Sequence, residues 1–194
     1  MLTRIAPHGI RAERFAEAVA VLNGDAVEPR VAALADLRLE EGARIADQLA
    51  AADVLAPGDP VRFLHPVMRA AVHERIPAHR LGLAHAAAAE LLRRGRRGPE
   101  RAAAHLLPTR PAGRAWVSET LRGAATTALA RGAPDTAVRL LRRALAEDDH
   151  ADTDLLLDLA GAELAAKDPA AIAHAREALH AAALPAARAA RASS

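Results

Sequence analysis

The chain has 194 residues, 52% of them hydrophobic, enough apolar surface for one large domain or two small ones to bury a core. Alanine dominates that fraction and aromatic residues make up 2%, so packing has to come from closely approaching helices, with Leu, Val and Ile as the larger side chains. The formal net charge is +2 and there is no cysteine, which excludes disulfides, thiolate metal sites and cysteine nucleophiles. Lys167 is the only lysine, so the arginine-rich, alanine-rich composition reads first as a coding bias and only second as a nucleic-acid footprint. Uncharged apolar stretches such as residues 86–89 fall far short of the roughly 20 residues of a bilayer span, and the sequence from Met1 to Arg4 leads into charged residues. Neither a signal peptide nor a membrane span is expected, and the cytoplasm is the expected location.

In chain order, three short amphipathic helices come first. Residues 11–22 place Ala12, Phe15, Ala16, Val19 and Leu22 on one face and stop at Asn23-Gly24. Residues 29–37 bring Val31, Leu34 and Ala35 together, and residues 40–52 do the same with Ala43, Ile45, Ala46 and Leu49. Two β-prone runs then flank Pro57-Gly58-Asp59-Pro60 within residues 54–64, which predicts a hairpin and no other strand pair. Three helices followed by a hairpin suggest a winged-helix-like unit over residues 1–77. Pro66 opens a further helix at its first position, lined by Val67, Ala70, Ala71 and Val72 and ended by Pro77.

From residue 78 to 194 the pattern is helices and short turns, with a period. Pro99, Pro134 and Pro169 are spaced at 134−99=35 and 169−134=35 residues, and each is expected to open a helix after a turn that closes an apolar one. One helical hairpin per repeat, with a period near 34, makes this half tetratricopeptide-like, with the usual aromatic positions filled by Leu and Ala. The last segment, around Leu184-Pro185-Ala186-Ala187, is expected to start a helix that it scarcely completes, with the final residues frayed. The expected fold class is therefore all-α, a winged-helix-like unit with one short β-hairpin followed by a helical-hairpin solenoid.

Most chemistry-bearing residues read as structural. No G-x-x-x-x-G-K-[ST] phosphate loop is present. His65, His73, His79, His85 and His105 form no H-x-x-x-H pair beside a carboxylate, and the acidic stretch Asp148-Asp149-His150-Ala151-Asp152 lacks the glycine and spaced oxygens of a calcium loop, so no metal is expected. Ser118, Ser193 and Ser194 are the only serines and none sits in a Gly-x-Ser-x-Gly turn. Trp116 reads as a core anchor at the start of the helix spanning residues 115–131. The cluster Arg93, Arg94, Arg96 and Arg97 carries the alternative function, a DNA-binding winged-helix regulator acting through the wing and these arginines. Against it, cations suit a helix C-terminus without any ligand, no aromatic interleaves them, and the helix before the wing carries Glu40, Glu41, Asp47 and Asp53 against Arg44 alone.

Three stretches together point to a family. The run Val61-Arg62-Phe63-Leu64-His65-Pro66-Val67-Met68-Arg69-Ala70-Ala71-Val72, the run Pro99-Glu100-Arg101-Ala102-Ala103-Ala104-His105-Leu106-Leu107, and residues 130–145 with their Ala130-Arg131-Gly132-Ala133-Pro134-Asp135 turn resemble the large ATP-binding LuxR-type regulators of actinobacteria, which are signal-transduction ATPases with numerous domains. The resemblance implies the central part of such a regulator, winged helix and helical repeats, without its nucleotide-binding and DNA-binding ends. It implies a non-catalytic regulatory arm acting through a protein partner or an ATPase domain in trans, with ATP or ADP bound by that partner only. It further implies that His65 contacts a nucleotide phosphate, with Arg62 and Arg69 flanking the anion. The competing reading of His65 is a capping or packing group at the joint between hairpin and helix.

Overall fold

The first helix, α1 (Gly9–Leu22), is buried over most of its second half: Phe15, Ala16, Ala18, Val19, Ala20, Val21 and Leu22 are all in the core, and Glu17 alone is half-buried. An all-round apolar helix belongs at the centre of its unit, and α2 (Glu28–Leu34), α3 (Leu39–Ala51) and α4 (Pro66–Arg75) each pack against it. The computed structural model describes residues 4–95, 98–147 and 152–192. It divides into two compact units, Met1–Leu91 and Leu92–Ser194, and the division falls inside α5 (Ala78–Arg94), the helix after Pro77.

In the first unit, α2 and α3 are followed by an antiparallel hairpin of β1 (Leu55–Ala56) and β2 (Arg62–Phe63), with Leu55 opposite Phe63 and Ala56 opposite Arg62. Side chains alternate across a strand pair. Leu55 and Phe63 accordingly enter the core while Arg62 faces solvent. The amide of Val61 donates to Ala26 O at 2.7 Å, fixing the hairpin to the loop between α1 and α2. Three helices and a two-stranded hairpin in this order make the winged-helix-like topology that the apolar periodicities predict.

Gly42 shows how tightly α2 and α3 approach. A Cβ there would stand 3.0 Å from Ala32 Cβ and 3.5 Å from Phe15 Cε2. Gly42→Leu is therefore expected to destabilise by about 1–3 kcal/mol, because overpacking outweighs the helix propensity gained. Gly82 in α5 meets open space, so Gly82→Ala should raise stability by up to ~1 kcal/mol. Urea midpoints of the two variants, moving in opposite directions, check both.

The second unit is a succession of helices, α6 (Pro99–Leu106), α7 (Ala115–Ala130), α8 (Pro134–Leu145), α9 (Thr153–Ala165) and α10 (Ala171–Ala192), each packed on the next in sequence. The 35-residue period is visible in the turns themselves. Gly132 and Lys167, 167−132=35 apart, both adopt the left-handed conformation, with φ of 72° and 59°. One residue later, the amides of Ala133 and Asp168 close the same bond, to Ala128 O at 2.9 Å and Glu163 O at 2.8 Å. This is the C-terminal closure that lets a helix reverse within a few residues.

Several expectations need correction. Met68 and Val72 are the buried residues of α4, which turns Val67 outward to 68% exposure, since neighbouring helical residues diverge by about 100°. Pro169 precedes α10 rather than opening it, because Asp168 Oδ1 accepts the Ala170 amide at 3.0 Å and holds a turn there. Pro185 lies inside α10 rather than opening a helix of its own, in an alanine-rich stretch, and alanine is the best helix former. Trp116 is half-buried. Of the acidic stretch, residues 148–151 lie outside the described residues, as do Ser193 and Ser194.

Candidate functional site: the hairpin-to-helix junction

Two residues beyond β2 the backbone of His65 is extended, with φ −128° and ψ 134°, and His65 is the N-cap of α4. Its carbonyl accepts the Met68 amide at 2.9 Å, while its side chain forms no cap hydrogen bond. Pro66 at the first helical position fixes the chain direction and takes one free donor out of that helix end. The imidazole is thus placed by backbone geometry and left in solvent, since His65 is exposed. It is not a packing residue.

Arg62 is exposed on β2 and Arg69 is half-buried one turn into α4. Neither has an ion pair or hydrogen bond among the described residues. The eight residues from Arg62 on β2 to Arg69 in α4 therefore carry two unspent cations and an exposed histidine. Leu64 at 41% exposure and Val67 at 68%, one and two residues from His65, give the junction apolar as well as cationic character. A helix N-terminus presents unsatisfied amides and partial positive charge, so the junction as a whole suits an anion next to an apolar surface.

The other singled-out groups are spent elsewhere. Arg93 places its guanidinium 5.4 Å from the centroid of the Trp116 ring, a cation–π contact that links α5 to α7 within the second unit. Arg94 is also engaged, and Arg96 and Arg97 lie outside the described residues. On α3, Glu41 is paired to Arg11 of α1 at 2.5 Å. The first unit also has two clefts of about 310 and 440 Å³, both lined by the ion-paired Glu17 and Arg80. Among the described residues no three His, Cys, Asp or Glu side chains gather in a metal-binding group, and no helix is long and apolar enough to cross a membrane.

Sequence reasoning missed two buried carboxylates in the second unit. Glu147, 6% exposed, accepts the amides of Ala112 at 2.9 Å and Arg114 at 3.0 Å and pairs with Arg143 at 2.7 Å. Glu163, fully buried in α9, pairs with Arg142 of α8 at 2.7 Å and meets His174 Nδ1 of α10 at 2.7 Å. Glu163 falls among the inward residues of α9, beside Leu156, Leu159 and Ala160, and a carboxylate in an apolar stripe is the signal that would have found it. With every oxygen engaged by neighbours in the same unit, these two groups build the fold rather than a reaction centre.

No family model, no curated protein and no solved structure matches the chain.

Proposed function

We propose that the chain is a non-catalytic regulatory arm of the kind found in large ATP-dependent LuxR-type regulators, working in the cytoplasm by contact with an ATPase domain supplied in trans. The observation that carries this reading is the hairpin-to-helix junction, where His65 is held at the start of α4 with its ring exposed and uncommitted. The sequence likeness over residues 61–72, 99–107 and 130–145 supports it. In this reading a nucleotide phosphate on the partner is met by His65 and the N-terminus of α4, with Arg62 and Arg69 flanking it and Leu64 and Val67 packing on the partner's surface. The nucleotide state then decides whether the winged unit is docked or released, and the helical repeats respond to a second ligand or partner. The acid-rich α3, in the place of a recognition helix, opposes DNA phosphates and speaks against the wing as a DNA reader.

The test is retention of a purified ATPase-domain protein of this class on the immobilised chain with ADP, with ATP and without nucleotide. Nucleotide-dependent retention that His65→Ala weakens by about tenfold, a loss of ~1.4 kcal/mol, is the expected result. Binding that ignores both the nucleotide and His65 would remove the phosphate-contact role, and salt-sensitive capture of duplex DNA instead would favour the wing as a DNA-binding element.

A further inference from the structure

One cleft of the first unit holds charges that the fold itself leaves unused. It has a volume of about 440 Å³ and draws its walls from α1, α4 and the segments beside them, with Ile5, Ala16 and Val72, each 5% exposed or less, as an apolar floor. That volume falls in the range of small-molecule sites, which combine an apolar lining with a few convergent polar groups. Here the polar groups are two carboxylates and two guanidiniums, Glu13, Glu17, Arg75 and Arg80. Glu13 and Glu17 share one face of α1, being four residues apart, and Arg75 comes from the last turn of α4.

The four charges are not equivalent. Arg80 and Glu17 are joined by an ion pair at 2.5 Å and neutralise each other. Glu13, half-buried, and Arg75, exposed, line the same cleft, yet neither forms an ion pair or hydrogen bond with the other or with any described residue. The lining is thus neutral in sum, with one pair spent and one acid and one base unspent. That division selects the ligand. A bare anion would meet Arg75 and be opposed by Glu13, and a bare cation would meet Glu13 and be opposed by Arg75. An uncharged molecule would cover both and satisfy neither, which is costly. A molecule that carries an ammonium and a carboxylate satisfies both at once, and an apolar body on it covers the floor.

We propose that this cleft binds an apolar zwitterion, a free apolar amino acid or a short apolar peptide, with its carboxylate on the Arg75 guanidinium, its ammonium on the Glu13 carboxylate and its hydrocarbon part on Ile5, Ala16 and Val72. A guanidinium takes a carboxylate through paired N–H donors, and an ammonium gives a carboxylate charge-assisted hydrogen bonds. Removal of the hydrocarbon part from water adds to the affinity. Val72 and Arg75 are at the far end of α4 from His65, and this inference does not depend on the nucleotide reading of the junction there.

The experiment is isothermal titration of the full chain with leucine and with leucyl-leucine, beside isocaproate, which lacks the ammonium, and isoamylamine, which lacks the carboxylate. The expected result is binding of at least one of the two zwitterions, with each single-charge analogue weaker by about tenfold or more. Whichever zwitterion binds more tightly tells amino acid from peptide. Glu13→Gln should weaken that zwitterion about tenfold and leave isocaproate no weaker, while Arg75→Gln should weaken it by as much and leave isoamylamine no weaker. Neither side chain has a partner in the fold to lose, so ligand-free melts of both variants should match wild type. No heat from either zwitterion up to about 10 mM, equal binding of isocaproate or isoamylamine, or zwitterion binding indifferent to both variants would each overturn the proposal.

Discussion

Replacing Glu147 by alanine should cost about 3–5 kcal/mol, enough to consume much of the stability of a marginal domain. The carboxylate is a structural hub for the loop between α6 and α7: it accepts the amides of Ala112 and Arg114 and the guanidinium of Arg143. The cost comes mainly from what stays behind. Arg143 has a side chain only 11% exposed, and its Nε and Nη1 already lack a partner among the described residues, so its one strong electrostatic contact is the bond to Glu147. Its remaining hydrogen bond, to Thr109 Oγ1 at 3.3 Å, is long. Loss of Glu147 strands a buried cation, which is costlier than loss of an exposed ion pair.

The same site gives a pH dependence of fixed sign. Burial pushes the Glu147 carboxyl up, but the amides of Ala112 and Arg114 and the Arg143 guanidinium outweigh it, so the group stands below the ordinary carboxylate range. A carboxyl depressed in the folded state contributes stability that is fully present above its unfolded pKa and is lost as pH falls through the folded one. Wild type should therefore exceed Glu147→Gln in urea midpoint at neutral pH, and the two should converge in acid. A constant difference down through the carboxylate range would show that the amide side chain serves as well and that charge is not what Glu147 supplies.

Neither hub was legible in the sequence, although much of the frame was. Phe15, Val19 and Leu22 stand in α1 where a period of 3.6 puts them, and Pro57 to Pro60 lie in the turn of the hairpin, because both signals are local. The 35-residue proline spacing likewise marked the turns that α6 and α8 follow. Partners distant in sequence left no such trace. Glu147 meets amides at positions 112 and 114, and Glu163 meets Arg142 and His174, contacts that exist only after helices have stacked. At the junction the order of residues 62–69 was readable, but the exposure of the His65 ring was not. It depends on α4 rotating Met68 and Val72 inward and so leaving Val67, beside His65, outside.

Arg142→Met should be more damaging than Glu163→Leu, although the two residues form one ion pair. The asymmetry lies in burial: the Glu163 side chain is 0% exposed and that of Arg142 is 48% exposed. Without Arg142, a carboxylate is left inside α9 with His174 as its only remaining partner, and about 3 kcal/mol is expected, the low end of the range for a broken buried pair because that partner remains. Without Glu163, Arg142 keeps Asp168 at 2.8 Å and has water on its other side, while leucine extends the apolar surface of Leu156 and Leu159. Replacing a buried charge by a hydrophobic residue of similar volume is often neutral or better. The Glu163 and Asp168 carboxylates also hold the Arg142 guanidinium charged: the hydrogen bond to Glu163 raises its pKa most, against the opposing effect of burial, and the bond to Asp168 adds to it. Thermal melts of the two single variants decide the matter. If Glu163→Leu proves the worse, the carboxylate is itself what joins α8 and α10 through α9; if Arg142→Met is worse, stacking of these helices rests on their apolar faces and Glu163 is a buried charge that its neighbours must neutralise.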